Sequence, residues 1–215
     1  MENVLVIGAN GKTGKIISRL LKESKRYTPY AMIRNEDQKS HFQDLDIETR
    51  YGDLEKDFSD AFNEIDKVIF AAGSGGATGD DKTLAVDEEG AIKAIEYAAS
   101  HKIEKFVMLS TMGTDNPEQV KRLEQYLRSK KVADDHLRES KLQYTIVQPG
   151  GLSDEEGNEK VEVAKKLKKY GEIPREDVAK ALIYSLDTES VANTSFEMVS
   201  GKASLEETLK SYHQD

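Results

Sequence analysis

The stretch Asn3-Val4-Leu5-Val6-Ile7-Gly8-Ala9-Asn10-Gly11-Lys12-Thr13-Gly14 decides how the rest of the chain is read. Val4 to Ile7 is a short apolar run, the mark of a buried strand, and a helical apolar pattern follows the turn over about 13–24. Gly8 allows a tight turn, Gly11 a close approach of backbone to a phosphate, and Gly14 close packing of the helix on the strand. The helix start then offers unpaired N–H groups and a partial positive charge to an anion. Glycine-rich punctuation alone would be a structural turn, but the place of this one, between strand and helix, favours a dinucleotide site. The spacing is G-x-x-G-x-x-G, not G-x-G-x-x-G.

Strand and helix signals alternate through the remaining chain. Strands are expected at Tyr30 to Ile33, Ile47 to Tyr51, Lys67 to Ala72, Lys105 to Leu109, Gln143 to Val147 and Ser195 to Val199. Helical patterns fall at about 36–44, 56–63, 83–100, 118–139, 175–187 and 203–212. Continuous apolar strands separated by helices predict an α/β fold, a Rossmann-type doubly wound parallel sheet with helices on both faces. Its 215 residues fit one domain, 1–215, with a substrate-cleft region around 150–175. The polar segment Gly150 to Asn158 reads as a loop over the cleft.

A net charge of −9 argues against a nucleic-acid or anionic-membrane binder. The basic run Lys165-Lys166-Leu167-Lys168-Lys169 reads as a solvated helix face. With no cysteine, the chain has no disulfide, thiolate nucleophile or Cys-ligated metal. His41, His101, His136 and His213 show no metal-ligand spacing, so no metal is expected. The N-terminus enters a strand directly, without a signal-peptide pattern, and no run approaches transmembrane length; a cytoplasmic protein is the expectation. Charged helix faces leave monomer and homodimer open.

Ligands on such a sheet lie at the carboxyl ends of the strands. After the second strand stands Arg34, where a guanidinium would grip a 2′-phosphate and favour NADP(H), with NAD as the alternative and Lys12 adding positive charge. After the third come Asp53 and Leu54, suited to an adenine amino group and ring, although Asp53 serves equally as a turn residue. After the fourth, Ala71-Ala72-Gly73-Ser74-Gly75-Gly76 would let backbone approach the cofactor. Asp80, Asp81 and Asp87 read as caps of the following helix. After the fifth, Ser110 and Thr111 present two hydroxyls where a substrate carbonyl would lie. Tyr126 and Lys130, four apart, share a helix face. A neighbouring ammonium stabilises phenolate and so lowers the tyrosine pKa. Chance supplies about one Tyr-x-x-x-Lys in such a chain, but this one follows the strand bearing the hydroxyls.

Together these residues resemble the atypical branch of the short-chain dehydrogenase/reductases, its NAD(P)-binding, NmrA-like and epimerase-like proteins. The likeness rests on Gly8-Ala-Asn-Gly11-Lys-Thr-Gly14, Gly52-Asp53, Phe106 to Thr111, Tyr126-x-x-x-Lys130, Tyr144 to Gly150 and Ile173 to Ala179, and spans nearly the whole chain. It implies an NAD(P)-dependent oxidoreductase acting on a small carbonyl or hydroxyl, quinone or flavin. Tyr126 would exchange the proton, Lys130 would contact the nicotinamide ribose, and Ser110 or Thr111 would orient the substrate oxygen. Pro149 and Gly150 would lie on the nicotinamide side. The glycine loop, with Asn10 and Thr13, would hold the pyrophosphate. One departure stands out: relatives often carry Arg before the Pro-Gly pair, and this chain has Gln148. The same branch holds non-catalytic redox sensors that act through a protein partner. These commonly lack the tyrosine–lysine pair, which makes the sensor the rival expectation.

Overall fold

The computed structural model describes residues 1–73 and 80–213, without the side chains of Asp80 and Lys82. The Ser74-Gly75-Gly76 part of the small-residue loop and the capping role of the Asp80 side chain lie outside them. Six parallel strands make up most of a nine-stranded sheet: β1 (Glu2–Ile7), β2 (Tyr27–Ile33), β3 (Glu48–Tyr51), β4 (Lys67–Phe70), β5 (Lys105–Leu109) and β6 (Tyr144–Pro149). They are followed in the chain by β7 (Gly151–Ser153), β8 (Lys160–Ala164), β9 (Glu172–Pro174), β10 (Thr194–Ser200) and β11 (Ala203–Ser204). The order is β11-β8-β10-β6-β5-β4-β1-β2-β3. Strand β10 extends the parallel set beside β6, while β8 and β11 pair antiparallel beyond it. The expected Rossmann-type fold is what the chain forms, with its switch in strand order between β1 and β4.

Both faces are covered, which is why Val4–Ile7, Val68–Phe70 and Phe106–Leu109 are apolar and buried. On one face α1 (Lys12–Glu23), with Ile17 and Leu21 fully buried, packs beside α6 (Arg175–Tyr184) and α7 (Leu205–Lys210). On the other lie α4 (Gly90–Ser100) and α5 (Glu124–Glu139), whose Ala94, Ile95, Ala133 and Leu137 meet Phe70, Phe106 and Ile146. Two short helices, α2 (Lys39–Gln43) and α3 (Asp80–Thr83), complete the helical set. Alternation along β5 sends Val107 and Leu109 to the α1 face and Phe106 and Met108 to the α5 face.

Several expected boundaries shift for local reasons. The pattern over 56–63 yields only a single 3₁₀ turn, Ser59–Phe62, after Asp57 Oδ1 accepts the Ser59 N–H at 2.9 Å. The pattern over 83–100 is interrupted by a π-helical segment, Leu84–Glu89, that joins α3 to α4. Two 3₁₀ turns, Pro117–Gln119 and Lys121–Leu123, precede α5. The basic run is not a helix face. Lys165 to Lys169 is a bend in which Lys166 pairs with Asp115 and Glu197, each at 2.7 Å. Segment 150–158 is not wholly loop, since β7 pairs parallel with β9 in a separate two-stranded ribbon. Asp177 in α6 anchors the stretch between, accepting the N–H groups of Asn158 (3.2 Å) and Glu159 (2.9 Å).

The glycine turn is fixed by steric necessity at two places. Gly8 has φ +84°, and a Cβ there would lie 2.5 Å from the Ala72 nitrogen. A Cβ on Gly14 would lie 2.1 Å from the Gly8 carbonyl oxygen and 2.8 Å from the Ala9 Cα, all backbone that cannot yield. Gly14→Ala should therefore lower stability by about 3 kcal/mol or more in urea unfolding. Gly151→Ala, whose added carbon comes no nearer than 3.4 Å to a neighbour, Glu172 Cγ, should stay within about 0.5 kcal/mol. Equal midpoints for the two variants would refute the close approach at Gly14.

Candidate active site

Two clefts meet over the carboxyl ends of the strands and share Gly11, Ala72 and Gly73 in their walls. The larger, about 560 Å³, runs from Thr13 past Ser110, Thr111, Tyr126 and Lys130 to Pro149 and Leu152. The smaller, about 250 Å³, is bounded by Gly8, Asn10, Arg34, Asp53 and Leu54. One trench thus crosses the switch in strand order, where α/β sheets take their ligands.

The glycine turn lies at its midpoint. Gly11 donates its N–H to the Gly8 carbonyl at 3.0 Å and stands as N-cap of α1, whose first turn carries no acidic side chain. A Cβ built on Gly11 meets only Gly8 O, at 3.3 Å, so its side-chain direction is open cleft. Absent side chain, helix start and open volume coincide, which fits a pyrophosphate.

In the smaller arm the Arg34 guanidinium is exposed, while its backbone N–H donates to Gln38 Oε1 at 2.8 Å. Asp53 Oδ1 accepts the Glu55 N–H at 3.1 Å, the turn role that its position also suggested. Leu54 is 9% exposed and packs on Gly90 at the start of α4. Lys12 does not join Arg34. It projects to the larger arm and meets Asp154 at 2.5 Å, and Arg175 reaches the same carboxylate at 2.5 Å. Such exposed pairs contribute little stability but draw the loop after β7 across the cleft mouth.

In the larger arm strand register separates the two hydroxyls. Ser110 continues the face of Phe106 and Met108 toward α5, and its N–H donates to the Val147 carbonyl at 2.8 Å. Its Oγ donates to Asp134 Oδ2 at 2.7 Å, with Ser110 at 4% and Asp134 at 0% exposure. Thr111 is half-buried, and its hydroxyl makes only a 3.4 Å contact with the Met112 carbonyl. Gln148, of the same parity as Ile146 on β6, donates to Asp134 Oδ2 at 3.1 Å and to Thr114 Oγ1 at 2.9 Å.

Tyr126 and Lys130 line the cleft from α5, with Lys130 Nζ 5.9 Å from the Tyr126 ring centre. The expected lowering of the tyrosine pKa is reversed. Burial pushes the phenol above its ordinary value by more than Lys130 pulls it down. The lysine charge is already engaged, because Nζ lies 3.2 Å from the buried Asp87 carboxylate. It also contacts the carbonyls of Ala72 (3.3 Å) and Leu109 (3.4 Å). Burial works against the Lys130 ammonium, yet Tyr126, Asp87 and Asp134 outweigh it and hold the pKa above the usual lysine value. Asp87, read as a helix cap, is thus a buried partner of Lys130.

Sequence reasoning missed Asp134. The signal was present: Leu127, Lys130, Asp134 and Leu137 fall at spacings of three and four and form one buried stripe of α5. Two charged residues on a buried stripe require partners. Arg122 and Arg175 also line the larger arm; Arg122 carried no motif, and Arg175 lay in the Ile173 to Ala179 stretch without being named as a site residue. Among the described residues no group of three or more His, Asp or Glu side chains could hold a metal.

Residues 8–189 match the NAD(P)H-binding family. The chain is 41% identical to the uncharacterized sugar epimerase YhfK of Bacillus subtilis, over 96% of this chain and 98% of that protein. It is 31% identical to the UPF0659 protein YMR090W of Saccharomyces cerevisiae, over 97% of each. A solved structure from Bacillus halodurans, assigned to the NAD-dependent epimerases/dehydratases, superposes with a TM-score of 0.93 at 40% identity, covering 99% of this chain and 100% of that one.

Gly11→Ala should keep the fold and lose the ligand, since its methyl would project into the pyrophosphate position. We expect an unfolding midpoint near that of the unaltered protein and at least a tenfold weaker nicotinamide dinucleotide, read by fluorescence titration. Undiminished binding would mean that the phosphates lie elsewhere.

Proposed function

The chain belongs to the NAD(P)H-binding family, and from that premise we propose that it is an NAD(P)-dependent oxidoreductase that prefers NADP(H). Its substrate is a small carbonyl or hydroxyl compound, a quinone or a flavin. The observation that carries this reading is the trench itself: an anion-binding glycine turn at its midpoint, Arg34 at one end, and Ser110, Thr111, Tyr126 and Lys130 at the other.

When bound, the nicotinamide cofactor supplies or accepts a hydride. The Gly8–Gly14 turn and the start of α1 hold its phosphates, and Leu54 and Asp53 border the adenine. Arg34 pairs with the 2′-phosphate. Lys130, locked by Asp87 and two strand-end carbonyls, presents a fixed positive charge to the nicotinamide ribose. Pro149 backs the nicotinamide side. The hydroxyls of Tyr126, Thr111 and Ser110 meet the reacting oxygen of the substrate. Residues 150–175 wall the substrate end of what we take to be one domain, 1–215. A cytoplasmic location is part of the same proposal; what the structure contributes is that no described helix is long and apolar enough to cross a membrane.

Two measurements test this. Titration with NADPH and NADH followed by a carbonyl, quinone and flavin panel should give turnover with NADPH. Tight binding with no turnover across the panel would replace the enzyme with a redox sensor. Arg34→Ala should weaken NADPH about tenfold to a hundredfold, the value of a charge-assisted contact, and leave NADH within about twofold. Equal losses would remove the 2′-phosphate assignment.

A further inference from the structure

We propose that Asp134 holds the proton for this reaction and exchanges it with the substrate oxygen through the Ser110 hydroxyl. The proposal rests on the oxidoreductase reading above and adds to it a proton route that does not pass through Tyr126.

The geometry is a two-member chain leading from the cleft wall into the core. Ser110 lines the larger arm, and its Oγ is 2.7 Å from Asp134 Oδ2 behind it. Asp134 itself has no exposure and reaches the cleft only through that hydroxyl. Among the described residues its second oxygen, Oδ1, is buried without a hydrogen-bond partner. A carboxylate would leave a charged acceptor unsatisfied there, whereas the acid, with its proton on Oδ2 facing Ser110 Oγ, leaves only a neutral carbonyl oxygen.

Burial favours the acid against several neighbours that favour the carboxylate, the hydrogen bonds from Ser110 and Gln148 to Oδ2 among them. Gln148 on β6 donates to Oδ2 through a neutral amide where a guanidinium would have fixed the carboxylate. Thr114 is occupied with Gln148 rather than with Asp134. Two cations face Asp134 along its own helix, Arg138 and Lys130, and both favour the ionised form. Each is already engaged: Arg138 with Asp135 at 2.7 Å, and Lys130 with Asp87 at 3.2 Å. Burial outweighs all of these and raises the Asp134 pKa to about 6. Tyr126, the other titratable group beside Lys130, is pushed the opposite way from a neutral-pH acid.

For reduction of a carbonyl, the substrate carbon gains hydride and its oxygen takes the Ser110 hydroxyl hydrogen. Ser110 Oγ takes the carboxyl proton, and Asp134 is left as carboxylate. One C–H and one O–H bond form on the substrate; the carbonyl π bond, the Asp134 O–H bond and the C–H bond that held the hydride break, and the reduced nicotinamide is oxidised. Water returns the proton to Asp134 between turnovers. In oxidation the same chain runs backward, with Asp134 entering as carboxylate. Asp134 touches no substrate atom, so it acts as a positioning and proton-holding residue and Ser110 as the catalytic one.

The experiment pairs kinetics with a titration that needs no bound cofactor. In the cofactor-free protein, carboxyl carbon NMR should show one aspartate titrating near 6 that disappears in Asp134→Asn. Because the folded protein binds that proton more tightly than the unfolded chain, its stability should rise as pH falls from above 6 toward the unfolded carboxyl value near 4. That rise should be smaller in Asp134→Asn. In turnover, the reductive kcat/KM should fall with pH above the same titration. Asp134→Asn should abolish that limb and lower kcat about tenfold to a hundredfold, with cofactor Kd unchanged. Should Asp134→Asn fold poorly, Ser110→Ala serves: it should abolish the kinetic limb while the aspartate still titrates. The double variant should be no slower than the slower single one, since the two act as a unit. An Asp134 ionised down to pH 4, or a kinetic limb unmoved in both variants, overturns the proposal and leaves the oxidoreductase reading standing. Absence of any wild-type turnover overturns that reading and the relay with it.

Discussion

The buried Lys130 ammonium stands where four pieces of the chain converge. Its Nζ touches the Ala72 carbonyl just beyond β4 and the Leu109 carbonyl at the end of β5, and it pairs with Asp87 of the π-helical segment from its own place on α5. At 3% exposure such a charge costs several kcal/mol to desolvate, and only complete pairing offsets this. The strand ends, the irregular turn and the helix are therefore positioned together or not at all. The π segment is the accommodation that brings Asp87 inward: widening the helix before Gly90 turns a nominal cap into a core carboxylate. Because the ammonium is satisfied by Asp87, its pull on Tyr126 is spent in part, and burial governs the phenol instead.

The fold was legible because its signals are local. Apolar runs marked several of the parallel strands, and the turn glycines announced the start of α1. The small strands around the cleft were not. Lys160 to Ala164 alternates as a strand should, with Val161 buried, but five residues running into a lysine cluster resemble a helix start as much as a strand. The partners of that cluster, Asp115 and Glu197, are distant in sequence, so no window contains the reason it bends. At the site, the sequence named both hydroxyls but could not orient them. Orientation depends on which face of β5 meets α5, a pairing made only in three dimensions. Asp134 went unread because a charged residue in a polar helix looks solvated until the stripe holding it is known to be inside.

The trench divides labour along the chain. The ends of β1, β2 and β3 build the arm that meets Arg34, whereas β5, β6 and α5 build the arm with the hydroxyls. The glycine turn is the shared wall. Arg34 and the Ser110–Asp134 pair thus stand in different arms, and substitutions at the two should combine additively. Gln148 stands behind the second arm, where its neutral amide donates to the buried Asp134 carboxyl.

An open sheet of nine strands has two edges, and each is unpaired backbone to which another chain could add a strand. Here both are short and differently defended. The β3 edge is four residues carrying Glu48 and Arg50. The Arg50 guanidinium lies over the Tyr30 ring at 4.5 Å and donates to the Asn63 carbonyl at 2.8 Å, laying a charged side chain across the margin. The β11 edge is two residues, after which the chain turns directly into α7. The antiparallel turn-back of β8 and β11, with no counterpart in the parallel core, thus tapers the sheet to an end too brief to template growth.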